Sequence, residues 1–141
     1  MAVNKLDRYI RPYKKFFAQV KTELQDGKKQ THWMWFIFPQ LKGLGKSAIS
    51  DYYSLDSIQD AKDFYSNKFL RDSMNELLKI VLKLRSYEQL LDCFGEIDIL
   101  KFHSCATIFY VATKKRIFKK VLNKFFNGHL DKETINLLEM R

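Results

Sequence analysis

Glycine and proline are scarce, five and two in 141 residues, which excludes collagen-like, linker-like and other low-complexity classes. Cysteine is scarcer still for a chain of this length. Cys93 and Cys105 are too few for a disulfide framework, lack metal-ligand spacing, and stand in apolar contexts that suit reduced, buried thiols. Long hydrophobic runs are missing: the longest near-continuous one, Trp33 to Phe38, falls far short of the roughly 18–20 residues that span a bilayer. The N-terminus shows no apolar stretch ending in small residues, so no secretory signal is expected. Strand-type alternation is nearly absent, and there is no internal repeat and no linker. HExxH, CxxC and carboxylate clusters are also lacking, so neither a metal nor a cofactor is called for. The expectation is one soluble, cytoplasmic domain over residues 1–141, with no membrane partner and an unspecified oligomeric state.

What the chain does have is apolar surface and positive charge. Hydrophobic residues make up 46%, enough for a proper core, and the net charge is +9. That charge is unevenly placed. Residues 1–46 carry ten Lys/Arg against three Asp/Glu, residues 47–98 six against ten, and residues 99–141 nine against three. Basic ends favour anionic partners: nucleic acid, phosphate-bearing metabolites or an acidic protein. A merely solvated, Lys-rich surface accounts for the same numbers.

The dominant period is helical, which predicts an all-α fold. Leu6, Tyr9, Ile10, Phe16, Phe17, Val20 and Leu24 follow three- and four-residue steps up to Gly27. Pro12 inside the pattern predicts two pieces, the second beginning at Pro12. Ser57 and Asp60 resemble a capping box that opens a helix through Tyr65. Leu70, Met74, Leu77, Leu78, Val81 and Leu82 mark the clearest amphipathic helix. Asp98 is expected to cap a helix through Val111, Thr113 another through Phe126, and Asp131 the last. The sum is about seven helices around a central apolar helix, about residues 99–112.

That central helix is the sharpest pointer to a site. The stretch from Ile99 to Ala112 is apolar on every side, so it belongs in the middle of the fold, yet it carries Lys101, His103, Ser104 and Thr107. A buried ammonium must be paired or hydrated, and Asp98, one turn earlier, is its natural partner. A wet cavity beside the tryptophans satisfies Lys101 and supplies an anion site, so Lys101 and Ser104 are expected to reach an open cavity.

Other candidates are weaker. Gly43-Leu44-Gly45-Lys46-Ser47 looks like the end of a P-loop, but Gln40 stands where the first glycine is needed and no parallel sheet is expected. Two glycines can still let the backbone approach an anion, or can simply make a tight turn. His32 precedes Trp33 and Trp35; a histidine among aromatics is either a hydrogen-bonded core residue or a general base, and the two tryptophans are either core residues or ligand-stacking surfaces. Cys105 has no base in helical register, since His103 is two residues away. The basic segment Lys114 to Lys124 could grip phosphates, although its phenylalanines fit a buried stripe better than a stacking platform.

Three segments, HWMWFIFPQLKGLGKS, FGEIDILKFHSCATIF and FFNGHLDKETINLL, resemble domain-of-unknown-function family 1810 in order and spacing, with similarity from Leu6 to Leu138. The resemblance implies a mainly helical single domain and no settled activity; the calpastatin label sometimes attached to that family has no visible physical basis in these residues. Arg11-Pro12 and His103 depart from the family's pattern. His32, Gln40, Ser47, Asp98, Lys101, Ser104 and Thr107 match its polar motif positions.

The combined expectation is a pocket for a small anionic, nucleotide-like ligand such as a nucleotide-sugar or ADP-ribose derivative. Lys101 supplies charge, Ser104 and Thr107 hydroxyl donors, Trp33 or Trp35 a stacking face, and Gln40 an edge contact. Gly43, Gly45 and Ser47 add backbone and hydroxyl groups, and Asp98 orients Lys101. If chemistry follows, His32 is the candidate base for hydrolysis or transfer. The rival expectation is a nucleic-acid or protein-binding module acting through the basic ends.

Overall fold

The computed structural model describes residues 5–141 and, among them, places eight helices: α1 (Asp7–Gln25), α2 (Met34–Ile37), α3 (Ala48–Tyr53), α4 (Ile58–Ser66), α5 (Lys68–Val81), α6 (Tyr87–Thr113), α7 (Arg116–Phe126) and α8 (Lys132–Glu139). No strand forms among the described residues; the one extended pairing is an isolated parallel bridge between Leu41 and Leu55. The fold is all-α. No helix among these residues is long and apolar enough to cross a membrane.

Helix starts follow side-chain chemistry. Ser47, Ser57, Asn67, Ser86 and Asp131 each accept the amide proton three residues on, at Ser50, Asp60, Leu70, Gln89 and Thr134. Ser57 and Asp131 therefore act as the sequence predicts. Asp60 does not close a reciprocal box with Ser57; its carboxylate takes the Asp56 amide at 2.8 Å and the Lys5 ammonium instead.

Three expectations need correction. α1 runs unbroken through Pro12. Its two flanking tyrosines hold it against the fold, Tyr9 donating to Tyr53 O at 2.8 Å and Tyr13 to Ile37 O at 2.6 Å, and this packing outweighs one lost helical bond. Asp98 caps nothing: the chain leaves helical geometry at Gly95, where φ is 86° and ψ 168°, and the helix has already resumed before Asp98. Asp98 lies one turn past the kink. Thr113 is the last residue of α6 rather than the cap of α7, although its hydroxyl does accept the Lys115 amide at 3.2 Å. Merging the first two pieces and adding α2 and α3 changes seven helices to eight.

The core forms around the second half of α6. That helix packs against α7, α4, α8 and α2, while α1 lies on α5 and α2. Phe102, Ile108 and Phe109 are fully buried. Phe102 meets Phe38 and Phe94 with ring centroids 5.0 Å from each; Phe109 meets Phe64 at 5.2 Å and Phe118 at 5.4 Å. Edge-on and offset rings of this kind add specific geometry to plain burial. Cys93 and Cys105 are free and buried in this core. Burial pushes both thiols up, Cys105 well above the usual range, which makes them inert.

Candidate functional site

The segment after α2 returns to the core at its neck. Leu55 N donates to Gln40 O at 2.9 Å and Lys42 N to Leu55 O at 2.8 Å, so residues 42–54 form a loop closed at its base. Its tip, Gly43 to Ser47, leads into α3. Gly45 is required there for space: a Cβ would lie 2.4 Å from Ser50 Cβ and 2.8 Å from its Oγ. The close approach is thus to α3, not to a ligand.

This loop, the exposed side of α6 and the start of α8 enclose a cavity of about 550 Å³. Gln40, Gly43, Gly45, Ser47, Lys101 and Ser104 all line it, brought together from two distant parts of the sequence. Leu44, Lys46, Ser50, Ile97, Leu100, Asp131 and Glu133 complete the wall. Of these, Ile97 and Leu100 are the surprise. They are 71% and 64% exposed, so a helix that is apolar all round leaves an apolar ledge beside the cavity instead of burying every face.

The polar groups differ in what they have left to offer. Lys101 Nζ stands 3.9 Å from Asp98 Oδ1 and 5.6 Å from the centre of the Trp35 ring, a loose pairing that leaves donor capacity. Lys46 enters no ion pair among the described residues. The Ser47 hydroxyl accepts from Ser50 N, and its own proton remains free to donate. Ser104 and Thr107 are different. Ser104 Oγ donates toward Leu100 O and Asp131 Oδ2, each at 3.1 Å, and Thr107 Oγ1 donates to His103 O at 2.8 Å while accepting from Asp131 N. Both hydroxyl protons are spent inside the protein, as buried Ser and Thr on helices tend to be. Thr107 is fully buried and reaches no cavity. Asp131 is committed too, its Oδ2 accepting from Thr134 N and Oγ1 at 3.0 and 2.6 Å.

The remaining sequence candidates lie elsewhere. Trp33 is 1% exposed, and its indole N–H donates to Glu23 Oε1 at 3.1 Å, so the ring is a core element with no face to stack on. Trp35 is half-buried beneath Lys101, beside the cavity but not in its lining. His32 is exposed, 6.3 Å from the Trp35 ring between centroids, and does not line the cavity. Asp98 holds Lys29 at 2.8 Å and stands 3.9 Å from Lys101. His103, stacked on Phe126 at 3.9 Å, is fixed by a 2.7 Å contact from Nε2 to His129 O; facing a carbonyl, that nitrogen carries a proton.

Glu23 was invisible as a structural hub in the sequence. Burial opposes its ionisation, but the Thr31 hydroxyl, the Gln30 and Thr31 amides and the Trp33 indole prevail and take its pKa down to about 2. No group of three or more His, Cys, Asp or Glu among the described residues is placed to hold a metal ion.

Comparisons with known proteins bear on this geometry. A crystal structure of the conserved hypothetical protein Rv1873 from Mycobacterium tuberculosis superposes with a TM-score of 0.89 at 34% identity, covering 95% of this chain and 96% of that one. No curated protein matches. The model of the family described as protein of unknown function (DUF1810) matches residues 3–138. The sequence resemblance and the helical fold thus agree, and the chain belongs to the DUF1810 family.

Proposed function

We propose that the chain binds a small anionic, nucleotide-like ligand in the cavity between the 43–47 loop and α6. The observation that carries this reading is the mix of chemistry around one 550 Å³ space: Lys46 from the loop and Lys101 from α6 both line it, together with the apolar ledge of Ile97 and Leu100. The unpaired Lys46 and the loosely paired Lys101, with Ser47 and Gln40, suit a phosphate or diphosphate. An apolar ledge suits the flat face of a base or sugar, and Glu133 at the rim can accept from an exocyclic amine. The ledge takes over the stacking expected of the tryptophans. The reading is one of binding; His32, the candidate base, stands outside the cavity.

The test is titration with ADP-ribose, NAD, cyclic nucleotides, nucleoside diphosphates and inorganic phosphate, followed by tryptophan emission and melting temperature. Trp35 lies under Lys101, so an occupied cavity shifts emission, and Trp35→Phe removes the shift while leaving the thermal stabilisation. Lys46→Met and Lys101→Met each weaken binding about tenfold or more, the effect of losing one charge-assisted hydrogen bond of about 1.5–3 kcal/mol. Silence across the panel at millimolar concentration, or affinity untouched by both lysine substitutions, rejects the reading.

A further inference from the structure

No Asp or Glu occurs between Ile99 and Leu130, a stretch that holds six cations from Lys114 to Lys124. A second acid-free stretch, Leu77 to Tyr87, holds Lys79, Lys83 and Arg85 inside the otherwise acidic middle of the chain. The fold brings the two together. α7 packs on the end of α5, and Lys124 Nζ donates to Leu82 O, the C-terminal cap of that helix. Arg116, Lys119, Lys120 and Lys124 are exposed, as are Lys79, Lys83 and Arg85, and none of them enters an ion pair among the described residues.

We propose that this face of α7, extended by the α5–α6 connection, docks a nucleic-acid duplex through its phosphate backbone. Arg116, Lys120 and Lys124 recur every four residues, a rise of about 6 Å per step, so they form one row of cations along the helix. Such a row needs a partner whose negative charge is also linear and dense, which a phosphate backbone supplies. Other polyanionic partners fit less well. The apolar side of α7, with Phe118, Val121, Leu122 and Phe125, is buried against the core, so nothing bulky is left to insert into a lipid surface. α7 itself carries no exposed aromatic residue, and Tyr87 beside it, 42% exposed and packed on Phe126, is a single ring where stacking of successive bases needs several. Contacts of this kind position a duplex without reading its sequence.

The experiment measures binding of labelled DNA and RNA duplexes, the matching single strands, and phosphatidylserine vesicles, between about 50 and 200 mM salt. The protein carries either Arg116→Gln, Lys119→Gln and Lys120→Gln together, or the charge-matched control Arg11→Gln, Lys14→Gln and Lys15→Gln on α1. Circular dichroism establishes that each folds. The expected result is duplex binding whose log–log salt slope falls by about 2.7 in the α7 triple, about 0.9 per lost phosphate contact, and stays unchanged in the α1 triple. Equal losses in both triples mean attraction by net charge alone and overturn the proposal. So do absence of duplex binding at the lowest salt, stronger binding of single strands, or capture of vesicles in place of duplex.

Discussion

Lys29 Nζ lies 2.8 Å from Asp98 Oδ2, joining the turn after α1 to the first turn beyond the kink in α6. The Lys29 side chain is only 7% exposed, and its ammonium also sits 5.0 Å from the centre of the Trp33 ring. The same carboxylate holds Lys101 more loosely on its other oxygen. One acid thus serves a buried structural cation and a cavity-lining one, and the two roles can be separated by substitution.

Asp98→Asn leaves Lys29 buried without its counter-charge and is expected to cost about 2–3 kcal/mol, slightly below the usual loss for breaking a buried pair because Asp98 keeps some contact with solvent. Combining it with Lys29→Met removes the stranded charge, so the double variant is more stable than Asp98→Asn alone. Urea denaturation of the two proteins decides the matter; a double variant weaker than the single one contradicts this account.

Glu23 gives the fold a pH signature. Its native pKa of about 2 lies below the ordinary 4.5, so its contribution is complete above pH 4.5 and is lost as pH falls toward 2. Screening by nearby solvent trims that contribution to about 1–2 kcal/mol. The stability gap between the native protein and Glu23→Gln therefore narrows from pH 5 to pH 2. A gap that holds constant across this range removes Glu23 from the list of acid-sensitive groups.

Two glycines are required for opposite reasons. Gly95 has open space around its Cβ position but a conformation almost confined to glycine, so Gly95→Ala costs about 1–3 kcal/mol through backbone strain alone. Gly45→Ala costs a comparable amount, about 1–3 kcal/mol, because its methyl group meets Ser50. Ser50→Gly then recovers part of the loss at Gly45, and no neighbouring truncation recovers the loss at Gly95. Melting temperatures of the four variants test the distinction.

Neither thiol reacts in the native state. Both cysteines are buried, and burial raises both thiols, so a disulfide reagent titrates neither until denaturant is added, and then titrates both. Rapid labelling of either one in the folded protein contradicts the packing described for α6.

The parts of the fold that could be read in advance are those where one residue's chemistry acts locally. Ser57 and Asp131 announce helix starts because their oxygens reach an amide three residues away whatever the rest of the chain does. Asp98 and Thr113 have the same chemistry, but Asp98 sits one turn inside the helical segment that resumes after Gly95 and Thr113 ends it, so the local signal misplaces the start. The gathering of Gln40, Ser47, Lys101 and Ser104 was legible because polar residues embedded in apolar stretches demand a wet surface or a partner. Trp33 is the complementary case, a core ring whose choice between core and stacking face depends on a distant partner. Its partner, Glu23, looks like an ordinary helix-surface residue until the turn at residues 26–32 folds back over it. Ile97 and Leu100 could not be foreseen at all, since apolar residues on an apolar helix are expected inside.

The closure at Leu41 and Leu55 gives the 42–54 segment the character of a cassette. Both leucines are fully buried, and two backbone hydrogen bonds fasten the neck, so the core is finished before the chain reaches the tip. Lengthening a loop already joined at its base costs little, about 0.6 kcal/mol for each doubling. The tip can therefore be exchanged for one of different length or charge with the helices left in place. On the binding proposed above, rewriting these dozen or so residues would change which ligand fits while leaving the helices as they are, and grafting a tip of different charge is the direct way to see it.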